Sequence, residues 1–287
     1  MKFLVLGATG MAGHTISLFL HENGHEVTTF SRKPFLYCEN INGDIINNPL
    51  FKDIMLKNYD VVINCIGVLN EACDSEPSSA VYLNSYLPHL IVQVLENSHT
   101  RLIHMSTDCV FSGKSAPYSE KSFRDGETFY DRTKGLGEID DNKNLTFRNS
   151  IIGPDMNKNG IGLFNWFMKQ EGTINGYQHA IWNGVTTLTL AKAIERAAIE
   201  KVTGLYHLVN NTSISKYDLL KIFNNKFKEN KINILPDESV KVDKTLINNR
   251  KDLSFVVPSY EQMIHEMKEW IYNHRNLYPH YFSRENS

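Results

Sequence analysis

Apolar and polar positions in the first half of the chain fall into alternating blocks. Short, largely apolar runs recur at Lys2 to Leu6, Glu26 to Phe30, Val61 to Cys65, Arg101 to Met105 and Leu145 to Arg148. A run apolar on both faces suits a strand covered on both sides, as in a parallel sheet. Between the runs lie stretches of helical period. Met11 to Glu22 puts Ile16, Phe19 and Leu20 on one face, Ser78 to Glu96 is long and amphipathic, and a helix is expected from Asp131 to Ile139. Strands alternating with helices predict an α/β fold with a doubly wound parallel sheet.

After Gly153-Pro154 the pattern shortens. Helices are expected over Ile161 to Lys169, Thr187 to Glu200, Ser215 to about Phe227 and about Tyr260 to His274, with a strand at Gly204 to Val209. Asp218, three residues after Ser215, gives that helix a capping-box-like start. The expected organisation is a dinucleotide-binding domain over 1–150, completed by segments near 185–210, and mainly a smaller substrate-binding lobe over 151–287. The lobe is expected over the carboxyl ends of the sheet.

Composition narrows the function classes. A chain of 287 residues can bury a sizeable core. A net charge of −2 with interspersed signs gives no basic stripe for nucleic acid and no polybasic segment for a membrane surface. The apolar runs are too short to span a bilayer, and a strand leading straight into a glycine loop leaves no expected signal peptide. Cys38, Cys65, Cys73 and Cys109 form no CxxC pair and no metal-ligand spacing. They read as reduced thiols of a cytoplasmic protein, with Cys109 set apart by the motif beside it, and no metal ligands are expected.

The first strand ends in Gly7-Ala-Thr-Gly10-Met-Ala-Gly13. Glycine has no Cβ, so such a loop turns tightly and lets backbone N–H groups approach a pyrophosphate, at which the next helix points its positive end. The alternative is a plain strand–helix turn. At the end of the second strand an acidic residue would bind the ribose hydroxyls of NAD. This chain has Ser31-Arg32-Lys33 there, which suits a 2′-phosphate. NADPH is therefore the expected cofactor and NADH the alternative, and a solvated basic turn is the bland reading. Asp44 fits either an adenine contact or an ordinary turn.

Ser106-Thr107-Asp108 ends the fourth of these runs, and Tyr130-Asp-Arg-Thr-Lys134 follows. Reducing a ketone needs a proton donor for the developing alkoxide. A free tyrosine has a pKa of about 10, too high for neutral pH. A lysine four residues on shares its helical face, and with the oxidised nicotinamide it is expected to pull that pKa down. Thr107, at a strand end, can hydrogen-bond the substrate carbonyl. Asn84 is a candidate for fixing a water or a backbone carbonyl near the lysine, against the alternative of a merely exposed helical asparagine. His179 and His207 are lone histidines and read as structural.

At these residues the chain resembles the extended short-chain dehydrogenase/reductase family, in its dTDP-4-dehydrorhamnose reductase-like branch. The likeness rests on residues 7–13, Ser106-Thr-Asp-Cys-Val-Phe-Ser-Gly113, Tyr118-Ser-Glu120, Tyr130-Asp-Arg-Thr-Lys-Gly-Leu-Gly-Glu138, Phe147-Arg-Asn-Ser150 and Asn183-Gly-Val-Thr-Thr187. It covers about residues 1–210 well and the rest weakly. It implies a Rossmann fold and NADPH-dependent reduction of the 4-keto group of a nucleotide-activated 6-deoxysugar in bacterial surface polysaccharide biosynthesis. Thr107, Tyr130 and Lys134 are implied as catalytic. Gly7, Thr9, Gly10, Met11, Gly13, Ser31, Arg32, Asp44, Ile45, Cys65, Gly67 and Asn84 fall at implied cofactor positions, with Tyr130 and Lys134. Val68, Asp108, Cys109, Arg148, Ile151 and Trp182 fall at implied substrate positions. Arg148 is a candidate to pair with the sugar's diphosphate, and Trp166, Trp182 and Tyr177 are candidates to stack on the nucleotide base, with core packing the alternative for each aromatic.

The chain departs from the branch at three places. Cys109 and Ile151 stand where aromatics usually shape the sugar pocket, and Thr186 stands where a proline is usual. Smaller side chains there suggest a bulkier sugar, such as a UDP-2-acetamido-2,6-dideoxyhexos-4-ulose. An epimerase, and a non-catalytic NADP-binding regulatory subunit, are the rival readings. A dehydratase is disfavoured because Cys109 replaces the acidic residue expected after Asp108. A homodimer is compatible with the resemblance.

Overall fold

A computed structural model describes residues 1–46 and 48–282. Its strands are β1 (Lys2–Leu6), β2 (Glu26–Ser31), β3 (Glu39–Asn42), β4 (Val61–Asn64), β5 (Arg101–Thr107), β6 (Leu145–Asn149), β7 (Ile151–Ile152), β8 (Thr173–Trp182), β9 (Val185–Thr186), β10 (Gly204–His207), β11 (Ile214–Ser215) and β12 (Asn233–Asp243). Seven of them form one parallel sheet in the order β10-β6-β5-β4-β1-β2-β3. Strand order reverses between β1 and β4, the switch point where an open α/β sheet binds ligands at its carboxyl ends.

Alternation along the central strands explains why their apolar residues fall on both faces. Phe3 and Val5 of β1 enter the core on one face, with Val61, Ile63 and Ile103. Leu4 and Leu6 enter the core on the other, with Val62 and Leu102. Each face is covered by helices, so both side-chain sets are buried. Thr187–Glu200 packs beside Met11–Glu22, and β10 extends the sheet beyond β6.

A second sheet has the strand order β11-β8-β12. β8 and β12 are ten and eleven residues long, where the sequence pattern suggested only short elements and loops. The segment after β12 returns towards the main sheet. Tyr118 N–H donates to Thr245 O at 2.9 Å and Ile247 N–H donates to Tyr118 O at 2.7 Å. Asn183 bonds both backbone groups of Leu246.

The expected continuous helix over 78–96 is interrupted. Residues Pro77–Ala80 and Leu87–Leu95 are α-helical, and Val81–Tyr86 between them forms a π-helical turn. Such single wide turns are frequent at functional sites. Here the turn carries Asn84. The tyrosine-bearing helix is Phe129–Leu136 rather than 131–139, because Thr128 caps it in a reciprocal pair with Asp131.

Candidate active site

The glycine loop leaves β1 at Gly7, whose φ of +83° is a backbone conformation that favours glycine. Its N–H donates to Phe30 O at 2.8 Å, tying the loop to β2. A Cβ on Gly13 would lie 2.2 Å from Gly7 O, so only glycine lets the helix seat against the loop. Gly10 is the N-cap of Met11–Glu22 with no side-chain cap, and Thr9 and Met11 flank it. The helix therefore presents uncapped N–H groups and its positive end at the sheet's carboxyl edge.

At the end of β2, Arg32 is exposed, and among the described residues no carboxylate pairs with it. Ser31 differs from expectation. It is buried, and its hydroxyl lies within the turn, 2.7 Å from Lys33 O and 3.0 Å from Asn40 Oδ1. Its one proton is already committed inside the protein. Asp44 is exposed and accepts from Ile46 N–H in an Asx turn. Ile45 is buried beneath it.

The turn after β4 holds Cys65, Gly67 and Val68. Asn84, fully buried, grips Val68 twice: its Oδ1 accepts from Val68 N–H and its amide donates to Val68 O, each at 2.9 Å. The same amide reaches Thr133 Oγ1 at 3.2 Å, beside Lys134. Asn84 thus holds the loop and the tyrosine helix to one another.

Thr107 ends β5, opposite Asn149 of β6. Its hydroxyl donates to Asp108 Oδ1 and accepts from Cys109 N–H, both at 3.1 Å. Lys134 is buried and its ammonium donates to Met105 O at 2.6 Å. Burial pushes the Lys134 pKa down to about 8, opposed chiefly by the charge of Glu138.

Without cofactor, the Tyr130 phenol is raised above the usual tyrosine value, first by burial, then by Cys109, and the hydrogen bond with Thr107 only partly offsets this. In the protein alone it is a protonated donor. The groups that shift it here are burial, Cys109 and Thr107, while the Lys134 ammonium is desolvated and donates to the Met105 carbonyl. Cys109 is pushed up to about 12 by burial and by Asp108, so it is a thiol, and all four cysteines are free.

Arg148 requires a correction. The expected partner of a diphosphate is 1% exposed. It donates from Nε and Nη2 to both oxygens of Glu138, at 2.8 and 2.6 Å, and from Nη1 to His207 Nε2 at 2.8 Å. A guanidinium so committed is structural. Two other cations bear on Asp108 from later in the chain. Burial raises the Asp108 carboxyl, and Lys244 and Lys216 draw it back by their charge. Both are half-buried. Sequence spacing gave no sign of them, since they lie more than a hundred residues from Asp108.

Trp182 is buried against Tyr260 with ring centroids 5.7 Å apart, so it is a core side chain. Ile151 is half-buried on β7, next to the end of β6. Trp166 and Tyr177 are exposed. His207 is buried and donates from Nδ1 to Ile247 O, a structural place. Asn149, also buried, has a side-chain amide nitrogen with no hydrogen-bond partner among the described residues. A buried donor left this way is costly unless something binds it.

Comparison with known proteins places this geometry in a family. A model described as the RmlD substrate binding domain matches residues 1–248. A probable low-salt glycan biosynthesis reductase of Haloferax volcanii is 31% identical over 144 residues, a stretch that spans about half of each chain, 48% in both cases. The dTDP-4-dehydrorhamnose reductase of Salmonella typhimurium is 27% identical over 231 residues, covering 76% of this chain and 75% of that one. The solved dTDP-4-dehydrorhamnose reductase of Bacillus anthracis, in complex with NADP, superposes with a TM-score of 0.76 at 19% identity, over 93% of this chain and 98% of that one. With the matched model reaching from the glycine loop through the Tyr130/Lys134 helix and the second sheet to residue 248, the chain belongs to the RmlD substrate-binding-domain family.

Proposed function

We propose that the protein is an NADPH-dependent reductase of the 4-keto group of a nucleotide-diphosphate 6-deoxysugar. The observation that carries the reading is the meeting of Thr107, Tyr130 and Lys134 at the carboxyl end of β5, beside the glycine loop's switch point.

The residues present fit the cofactor. The loop closes with glycine at the two positions where a Cβ would strain or clash. Arg32 offers an uncommitted guanidinium for a 2′-phosphate. Asn149 holds a buried donor in need of an acceptor. Gly7, Gly10 and Gly13 would hold the pyrophosphate, Asp44 the adenine end, and Lys134 the ribose nearest the chemistry. Bound NADPH supplies the hydride.

The chain's own groups supply the rest. Tyr130 holds a proton on its phenol oxygen, and that proton leaves for the substrate's carbonyl oxygen as negative charge develops there. Thr107 orients the same oxygen. Lys134 favours the phenolate left behind, and its charge counts for more in a dry site. Lys216 and Lys244 give the substrate's diphosphate two cations to replace Arg148. We further propose a bulky sugar, of the UDP-2-acetamido-2,6-dideoxyhexos-4-ulose kind, because Cys109 and Ile151 leave room where larger side chains would close it. Among the described residues no helix is long and apolar enough to cross a membrane. A cytoplasmic step in surface polysaccharide synthesis is consistent with this reading.

The test is loss of NADPH absorbance with a panel of dTDP-, UDP- and GDP-linked 4-keto-6-deoxysugars, with Tyr130→Phe as control. The expected result is oxidation with one sugar, reduced at least ~100-fold in the variant. Equal turnover by Tyr130→Phe removes the proposed acid. Binding of NADPH with no turnover across the panel favours a regulatory module. Comparable turnover of dTDP-4-keto-rhamnose and the acetamido sugar overturns the pocket argument.

A further inference from the structure

Three successive residues at the end of β5 are met by three side chains spaced four apart. Thr107 faces Tyr130. Met105 O accepts from Lys134 Nζ at 2.6 Å. Ser106, between them, donates from Oγ to Glu138 Oε1 at 2.5 Å. The third member of this series, Glu138, lies just past the end of the Phe129–Leu136 helix. We propose that Glu138 is a positioning residue for the catalytic pair, fixing the helix on the end of β5 and providing the buried negative charge that Lys134 faces. The proposal rests on the reading of Tyr130 and Lys134 as catalytic.

The Glu138 side chain is 3% exposed and fully engaged. Besides Ser106 it takes both Arg148 bonds, from β6, and one from Arg124 Nη1 at 3.0 Å, from the loop before the helix. Arg148 passes the connection to His207 of β10. One carboxylate thereby ties together β5, β6 and, through Arg148, β10, and it clamps the 111–128 loop to the helix. A carboxylate with this many donors has no freedom of rotamer, so the helix edge beside it is fixed as well.

The electrostatic part follows from what surrounds Lys134. Cys65 and Cys73 face it from the β4 side, His104 lies near it on β5, and Tyr130 shares its helix. Burial pushes the His104 pKa well down, and burial also pushes Cys65 up to about 12, so both are neutral near neutral pH. The Cys73 thiol is likewise raised by burial. Glu138 is therefore the full negative charge acting on Lys134. Burial would raise the Glu138 carboxyl, but Arg148, Ser106 and Arg124 outweigh burial and hold it below the usual value. It stays ionised through neutral pH.

The sign of the effect is fixed. Removing the charge of Glu138 lowers the pKa of Lys134, so the ammonium is lost at lower pH. Removing Arg124, a half-exposed cation that offsets Glu138, raises it. The experiment follows the Lys134 Cε resonance against pH in protein labelled with 13C-lysine and free of cofactor, assigned with Lys134→Arg. Glu138→Gln is expected to lower the midpoint by about one pH unit or more, as for the loss of a close opposite charge. Arg124→Gln is expected to move it upwards. The alkaline limb of the kcat profile should follow in each case. An unmoved Lys134 midpoint in Glu138→Gln overturns the proposal. If that variant fails to fold, with Arg148 left unpaired, an unmoved or lowered midpoint in Arg124→Gln overturns it instead. Opposite shifts in a protein that turns over no sugar support the role of Glu138 and count against the reductase reading, so the two fail separately.

Discussion

Asn84 closes both hydrogen-bonding groups of Val68 with its single side-chain amide, each bond 2.9 Å long. The π turn at Val81–Tyr86 brings that side chain to the β4 loop. The carbonyl of Asn84 meanwhile projects so far that a Cβ on Gly137 would meet it at 1.9 Å. Asn84→Ala leaves the Val68 N–H and C=O ungripped, at about 1–3 kcal/mol for a buried polar group without its partner. We expect a Kd for NADPH raised roughly tenfold, with faster amide exchange over residues 65–70. Unchanged affinity and unchanged exchange would show that the loop holds itself.

Arg32, at the end of β2, has no carboxylate partner among the described residues. A charge-assisted bond to a phosphate is worth about 1.5–3 kcal/mol. Arg32→Gln should therefore raise the KM for NADPH roughly tenfold or more while changing that for NADH little. Steady-state kinetics with both cofactors measure the ratio. A ratio unaltered by the substitution assigns the arginine to solvent.

Most of the main sheet and the Tyr130/Lys134 spacing were legible because both are local. β1 and β4 are nearly continuous apolar runs, β5 and β6 are apolar runs broken by polar residues, and Tyr130 and Lys134 share a face by helical period alone, whereas β3 (Glu39–Asn42) has no apolar run. The π turn at 81–86 was not legible, because one wide turn leaves an amphipathic pattern intact. β8 and β12 escaped for a different reason. β8 contains Gly176 and several polar residues, β12 contains Pro236, and the two pair in parallel across about sixty residues. Neither alternates cleanly, and each is a strand because the other is there. Arg148 misled because a cation near a strand end resembles an anion site. Glu138, four residues past Lys134 in the same motif, lies against it only once β6 is beside β5.

Lys216 and Lys244 act on Asp108 by their charge. If they receive the substrate's diphosphate, Lys244→Met should raise the sugar-nucleotide KM roughly tenfold with kcat little changed, the signature of lost uniform binding. Lys216→Met should act in the same direction. The affinity for NADPH should be unaffected in both. A fall in kcat without a change in KM would instead tie Lys244 to the ionisation of Asp108.

His14 gives the fold a predictable response to acid. It is fully buried in the first turn after the glycine loop, where its Nδ1 donates to Gly10 O at 2.9 Å. Its Nε2 accepts from the Tyr278 hydroxyl at 2.7 Å, and that hydroxyl accepts in turn from Trp270 Nε1 at 3.1 Å. The chain of bonds needs a neutral imidazole, and burial pushes the pKa down to about 4. The unfolded chain binds a proton near pH 6.5 that the folded one refuses until about pH 4. Stability from this residue is complete above pH 6.5 and is lost as pH falls through that window, by roughly 1 kcal/mol per pH unit. His207, pushed to about 4 by burial and by Arg148, adds a similar slope. His104, pushed well down by burial, adds to it in the same direction. Urea unfolding from pH 7.5 to 4.5 should show the combined slope, and His14→Gln should lower it by roughly 1 kcal/mol per pH unit. The Tyr278 and Trp270 ends of this relay lie beyond residue 248, where the family match stops. Tyr278→Phe should therefore weaken NADPH binding from outside the family's matched region, through the carbonyl of Gly10. An undiminished pH slope in His14→Gln would mean that the imidazole already titrates freely in the folded protein.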